Sequence, residues 1–351
     1  MLTLSQGTRA ARLRPAGAVP RPFIRDLIHG DLNRAFGASG FLSYDLRLTD
    51  TVRMAAILGH NIASDKVIKL QGGPVPQDYA VTFDGTVNGR IRVTRTATLE
   101  PAEFSVIMWA SWTNGDSGRY MFGKAVTAGN GESAAVTLRS GTAGTIVGRV
   151  ADSGGTKTAT SVTENLNDGV WRRIGLSLNA AGQFRIRIGG VVDITTTGVG
   201  TPLYNTALDW FFGLFDLTLG GGRWIGDQDE ICIYNRDLSD AEWAADALGN
   251  YAASGLVLRL KLDEGSGTSA ADSSGLVNTG TLGSGVAWTA SINSPVNETM
   301  TWASAEIFHT VAAPASYRYW RMLIESPAGT ETMKKILLLN RALGAFEKGV
   351  A

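Results

Sequence analysis

GDQDEICIYNRDLSDAEWAADALGNY, residues 226–251, decides how this chain is read. It opens as a strand, with Ile231, Ile233 and Tyr234 set among Glu230, Cys232 and Asn235. It then turns helical. Ser239 is a good N-cap, and Glu242 three residues later completes a capping box. Trp243, Ala244, Ala247 and Leu248 supply an apolar stripe, and Gly249 can end the helix. Residues 79–225 before it read as strands and turns, so the stretch is the closing element of an all-β sandwich with one short helix near 239–249.

Upstream, YAVTFDGTVNGRIRVTRTATLE (79–100) has the form of a hairpin, with turn signals at Asp84-Gly85 and Asn88-Gly89. In FSVIMWASWT (104–113), Val106, Met108 and Ala110 face one way and Ile107, Trp109 and Ser111 the other. RYMFGKA, AAVTLRS, TIVGRVA, WRRIGLSLN, FRIRIGG, VVDITT and DWFFGLFD continue the series. Asn130-Gly131, Ser153-Gly154 and Asp168-Gly169 separate several of them. Short strands at this spacing predict an antiparallel sandwich. Downstream of the helix, Leu256, Leu258, Leu260 and Leu262 alternate with Val257, Arg259 and Lys261. A Gly/Ser/Asp loop and a short strand ending in Trp288 follow.

The flanks are also strand-like. FLSYDLRL (41–48) alternates, VRMAAILG (52–59) is apolar enough for a strand buried on both faces, and KVIKLQG (66–72) alternates again. Three strands cannot make an independent sandwich, so these need partners from elsewhere. TWASAEIFHTV (301–311), YRYWRMLIES (317–326) and KKILLLNRAL (334–343) supply candidates. Residues 26–40 read as a loop or helical turn, and 291–300 as a linker.

Lys plus Arg equals Asp plus Glu at 32 each, so net charge gives no pull toward nucleic acid. No apolar run reaches a membrane span. With one cysteine, Cys232, neither an internal disulfide nor a cysteine zinc site can form; an inert buried thiol is expected. The histidines His29, His60 and His309 lack metal spacing, and His60 is expected to hold a turn. Residues 1–25 carry Arg9, Arg12, Arg14, Arg21 and Arg25 and no acid. They read as a basic arm lying on a partner, with a transit peptide as the alternative; no apolar h-region marks a secretory signal.

Four segments resemble, in order, the laminin-G-like or concanavalin-A-like jelly-roll domains: FDG (83–85), FSVIMWAS (104–111), DGVWRRIGLSL (168–178) and DEICIYNRDLSDAE (229–242). LKLDEGSGTSAADSSGLVNTGTL (260–282) resembles a segment that in most members precedes FDG. Its place after the helix implies a circular permutation, the alternative being a truncated second copy. AAILGHNIASDKVIKLQG (55–72) and RYWRMLIESPAG (318–329) resemble the galactose-binding-like, discoidin-like jelly roll of bacteriophage tail and virion proteins. The resemblances imply an all-β chain of two antiparallel jelly-roll sandwiches, one discontinuous. Its parts would be an N-terminal arm at 1–40, a split jelly roll at 41–73 and 296–344, and an inserted sandwich at 74–295.

They further imply a non-enzymatic structural or adhesion protein of a tailed-phage virion (tail, fibre or capsid decoration). It would be a homo-oligomer among other virion proteins, with host-surface glycan as a ligand. A secreted carbohydrate-binding module and a polysaccharide depolymerase are the alternatives. Sugar binding needs exposed aromatic faces beside planar polar groups. Trp112, Tyr120, Trp210 and Trp224 border turns and are the candidates, while Trp109, Trp171 and Trp320 read as core. Laminin-G-like domains can hold calcium on acidic loops. Here Asp263, Asp272, Ser274 and Asn278 would supply the oxygens, with Asp84 and Asp227 nearby. The second Asp common after FDG is absent, with Val87-Asn88 in its place, and Asp and Ser also simply make turns. Asp227, Asp229 and Glu230 are the nearest approach to a glycosidase pair, but without the Glu-x-Asp pattern no enzyme is expected.

Overall fold

The computed structural model describes residues 26–35, 41–73, 79–125, 134–204, 208–214, 222–247, 249–290, 296–304, 306–324 and 332–339. Residues 1–25 of the expected arm and 340–344 of the expected split domain lie outside them. The regular secondary structure of the described residues is almost entirely strand, in three antiparallel sheets with one α-helix.

The first sheet draws on both ends of the chain. Its strands are β1 (Asp26–Ala35), β2 (Phe41–His60), β3 (Ile68–Gly73), β20 (Val296–Met300), β21 (Glu306–Ile324) and β22 (Thr332–Leu339). They lie in the order β1-β22-β2-β21-β3-β20. Both faces of β2 are buried over residues 54–58. Val52, Ala55 and Ile57 join a cluster with Trp320 and Met322, while Met54, Ala56 and Leu58 pack with Phe308 on the other side. Trp320 closes tightly on Gly72, its register partner on β3. His60 holds the turn after β2: Nδ1 accepts the Ile62 N–H at 3.2 Å and Nε2 reaches the Ala303 carbonyl at 2.9 Å.

Three expectations change here. Residues 26–35 form a strand rather than a loop, because β22 offers a paired edge. Residues 41–60 are one strand instead of two, with register shifts absorbing the irregular stretches against β21. Residues 296–300, read as linker, are β20 on the edge of β3.

The other two sheets face each other. One contains β4 (Tyr79–Asp84), β6 (Phe104–Ser111), β11 (Arg172–Leu178), β12 (Phe184–Ile188), β13 (Val191–Thr196), β15 (Ile225–Tyr234) and β19 (Val286–Ala290). β16 (Leu256–Leu260) pairs with β15 in the same sheet. The opposing sheet contains β5 (Ile91–Val93), β7 (Tyr120–Ala125), β8 (Ala134–Ser140), β9 (Ile146–Asp152), β10 (Gly155–Thr160), β14 (Trp210–Phe212), β17 (Ser269–Ala270) and β18 (Gly280–Leu282). Alternate residues of both enter one core, among them Phe83, Val106, Met108, Phe122, Leu138, Val150, Leu176, Phe184, Trp210, Ile231 and Ile233. Residues 256–290 contribute to both sheets and to that core, through Leu258, Leu260, Ala270 and Leu282.

Helix α1 (Asp240–Asp246) forms as its caps dictate. Ser239 accepts from the Glu242 N–H, and Glu242 accepts from the Ser239 N–H at 2.9 Å. Arg236 grips the Glu242 carboxylate at 2.6 and 2.8 Å, and these partners hold it down to about 2. The helix buries Trp243 on the outer face of the β6–β11–β15 sheet, with Ile107, Cys232, Tyr234 and Leu238.

Two stability outcomes follow. A Cβ on Gly72 would stand 2.6–2.8 Å from carbons of the fully buried Trp320 ring. Gly72→Ala is therefore expected to cost about 1–3 kcal/mol, read as a lower urea midpoint. Ser239→Ala should cost about 1 kcal/mol in the same measurement.

Candidate functional site

The outer face of the sheet holding β15 is built by strand alternation. On β6, Met108 and Ala110 enter the core, so Trp109 and Ser111 point outward. On β4, Val81 and Phe83 enter the core and Thr82 points outward. On β15, Gln228 points inward and donates to the Met121 carbonyl at 2.8 Å, so Asp227 and Asp229 point outward. Register fixes the rows: Asp227 lies between Ser111 and Thr82, and Asp229 lies beside Trp109, which faces Arg173 on β11. Trp171 immediately precedes β11, whose Arg172 pairs with Ala110, and so stands beside Ser111. The preceding loop is pinned there by Gly169 N–H to Trp112 O and Ser111 Oγ to Gly169 O, each 2.9 Å.

β15 then carries one residue too many. Asp229 pairs with Trp109 and Cys232 with Ile107, so two residues of β15 oppose Met108. Glu230 takes a left-handed φ of 45°, and its N–H donates to Asp229 Oδ1 at 2.8 Å. The extra residue puts both Asp229 and Glu230 on the outer side while returning Ile231 to the core.

The charges there are mostly committed. Arg259 holds Glu230 with two 3.0 Å bonds and lies 4.0 Å from the Tyr251 ring centre. Arg173, fully buried, holds Asp246 at 2.5 and 3.2 Å and donates to the Glu230 carbonyl at 2.5 Å. Burial pushes Glu230 up, against the opposing pull of Arg259. Burial also pushes the Cys232 thiol up to about 12, as an inert cysteine requires. Asp227 differs. It is half-buried, accepts the Thr82 hydroxyl at 2.5 Å, and no cation pairs with it among the described residues. Burial raises its carboxyl above the ordinary value, with the Thr82 bond opposing. The indole N–H groups of Trp109 and Trp171 have no acceptor, and Trp171 is only half-buried.

The sugar platforms expected from sequence are corrected. Trp112, Tyr120, Trp210 and Trp224 are 3, 9, 1 and 1% exposed, so no pyranose can stack on them. Trp112 and Trp224 pack on each other at 5.2 Å, and Trp210 donates to the Leu99 carbonyl at 3.0 Å. Trp112, Trp210 and Trp224 belong to the core between the two sheets, because their side chains point inward although they border turns in sequence. Trp171, assigned to the core from sequence, is instead the indole at the edge of the outer face. Its position before Arg172, on the outward phase of β11, was the available signal.

The calcium loop is corrected too. Asp272, Ser274 and Asn278 do come together, but as a hydrogen-bonded turn. Asp272 Oδ1 accepts the N–H groups of Arg259 and Ser274 at 2.9 Å each. Its Oδ2 accepts Ser274 Oγ–H and Asn278 N–H at 2.8 Å each. Asn278 Oδ1 accepts from Thr96 at 3.2 Å, and Asp263 lies 3.9 Å from Lys261 Nζ. A cation at Asp272 would face four donor hydrogens, so this oxygen set does not fit calcium. Among the described residues no group of three His, Cys, Asp or Glu side chains could hold a metal.

Residues 84–243, which lie within the two facing sheets, are similar to the Laminin_G_3 family model, described as the concanavalin A-like lectin/glucanases superfamily. No curated protein sequence matches the chain. Among solved structures, it is similar to a protein described as carbohydrate-binding from Bacteroides ovatus, at 15% identity and TM-score 0.47. That match covers 68% of this chain, which spans only 61% of the other's length. It is also similar to the heptameric SAP-like pentraxin of Limulus polyphemus, at 18% identity and TM-score 0.44, over 62% of this chain and 98% of that one. A third is the CBM40 module of the Ruminococcus gnavus IT-sialidase, bound to α2,3-sialyllactose. There the identity is 14% and the TM-score 0.38, over 51% of this chain and 97% of that one.

Glu230→Gln leaves the Arg259 guanidinium without its carboxylate and should cost about 3–5 kcal/mol, measured by chemical denaturation. Calcium at millimolar excess over EDTA should leave the melting temperature unchanged, since a ligand stabilises only what it binds.

Proposed function

We propose that the lectin-like sandwich binds glycan on its outer face around Trp171 and Asp227, without catalysis, and that the sheet built from both chain ends carries it on a larger assembly. The observation that carries this reading is Asp227: a half-buried carboxylate that accepts the Thr82 hydroxyl, pairs with no cation among the described residues, and lies across Ser111 from the half-buried indole of Trp171. Sugar hydroxyls donate to such carboxylates, and pyranose faces lie on indole rings. The match of residues 84–243 to a lectin/glucanase family supports the same class.

Hydrolysis is less well supported. It needs two carboxyls free to act on one bond. Glu230 is locked by Arg259, and Asp229 accepts the backbone of the bulge.

The carrier reading rests on topology. β3 and β20 are paired neighbours, with Val296 opposite Gly72. The chain therefore leaves for the sandwich and returns from it at adjacent strand ends, so the insert can be presented without disturbing the sheet that bears it. The resemblance of the flanks to phage virion domains makes a tailed-phage particle the assembly proposed, with oligomerisation and host attachment as its consequences. Co-sedimentation of tagged protein with the particle checks this part.

Trp171→Ala and Asp227→Ala should each lower affinity for a bound glycan at least about tenfold with little change in melting temperature. No reducing ends should be released on prolonged incubation. Affinity should rise with pH through the elevated range of Asp227, because the ionised carboxylate is the stronger acceptor. Unchanged binding by both variants would move the site elsewhere.

A further inference from the structure

The geometry points to a second copy of this chain as the partner of strand β19, the two copies pairing antiparallel about a two-fold axis at Trp288. The contact goes beyond the glycan-binding reading and does not depend on it. β19 ends its sheet, with β4 on one side and no strand on the other among the described residues. Edge strands are ordinarily blunted by charge, irregularity or shortness. The other edges of the sandwich are. On β13 the Asp193 carboxylate reaches across to the Val162 and Thr163 N–H groups, and a register shift interrupts the pairing with β12. β10 carries Lys157, and β17 has two residues. β19, Val-Ala-Trp-Thr-Ala, has no charge, no proline and no register shift.

One bond tells which backbone groups β19 leaves open. The Asp84 N–H donates to the Gly285 carbonyl at 3.1 Å, directly opposite in register, so the two residues are a hydrogen-bonded pair. The pattern alternates. Ala287 and Thr289 therefore turn their backbone groups to β4, while Val286, Trp288 and Ala290 turn theirs to the open edge. There the Val286 N–H is already taken by the Gly283 carbonyl at 3.0 Å. What remains is self-complementary. With Trp288 opposite the second copy's Trp288, each Trp288 N–H meets the other's Trp288 carbonyl, and each Ala290 N–H meets the other's Val286 carbonyl.

The side chains suit the same register. Trp288 lies opposite Val81 on the core side, is half-buried, and donates Nε1–H to the Gly267 carbonyl at 2.8 Å, which leaves ring surface for its counterpart. Ala287 and Thr289, on the outer side, are small enough to face each other across the axis. Outer residues meet outer residues, so the two faces, each with Thr82 and Asp227 in the row of Ala287, look the same way. Two such faces on one sheet can engage a repeating surface together.

Sedimentation velocity of the full chain from about 1 to about 100 µM tests the contact. A dimer is expected to build up over that range. Ala290→Pro removes an N–H that only the second copy uses, so it should raise the dissociation constant at least about tenfold with the melting temperature unchanged. Ala287→Lys combined with Thr289→Lys sets like charges opposite each other across the axis and should do the same, even where the proline variant fails to fold. Val191→Lys, 68% exposed on the opposite edge, should leave the dimer intact. A monomer throughout, or a dimer that either folded edge variant leaves intact, overturns the inference, and neither outcome touches the glycan-binding reading.

Discussion

One extra residue in a central strand governs the chemistry of this molecule. Without it, Glu230 would follow the alternation into the sandwich core. With it, Asp229 and Glu230 share the outer side, and Ile231 and Ile233 keep their places among Val106, Leu258 and Leu260. Burying the carboxylate is tolerable only because Arg259 meets both of its oxygens and Arg173 takes its backbone carbonyl. Each of these guanidiniums is in turn set by its strand: Arg173 stands opposite Trp109, and Arg259 opposite Cys232.

That network divides the outer face into two regions. Toward the end of β15 the surface is covered, by α1 through Trp243 and by Tyr251 stacked near Arg259 and Arg173. Toward its beginning the rows remain partly open, with Trp171, Ser111, Asp227 and Thr82 side by side in register. The covered region fixes the strand that presents the open one. Rigidity behind the proposed binding face would favour affinity, because groups that meet a ligand then lose little freedom on binding it.

The sheet formed from both ends imposes a different constraint. β2 and β21 are long, pair along most of their length and bury residues on both sides of β2. Neither can be satisfied until the whole insert has been made and β21 has returned. Such non-local pairing is slow, and the sandwich, whose strands are all contiguous between residues 79 and 290, can close its own core first.

The sequence by itself determined the local elements. Alternation in residues 104–111, the β-rich series around it and the Ser239/Glu242 box specify strands and one capped helix, because those signals depend only on near neighbours. The all-β class was legible for the same reason. Partners were not. Whether residues 26–35 and 296–300 become strands depends on β22 and β3 offering an edge, and no local pattern records that. Burial of Trp112, Trp210 and Trp224 in the core between the sheets, and the half-burial of Trp171, follow from which face of each strand is turned to the opposing sheet. The turn at Asp272 could equally have been a cation loop until its four donors were placed around one carboxylate. The bulge was hidden as well, since GDQDEICIY reads as plain alternation until β6 shows that two of its residues share one opposite.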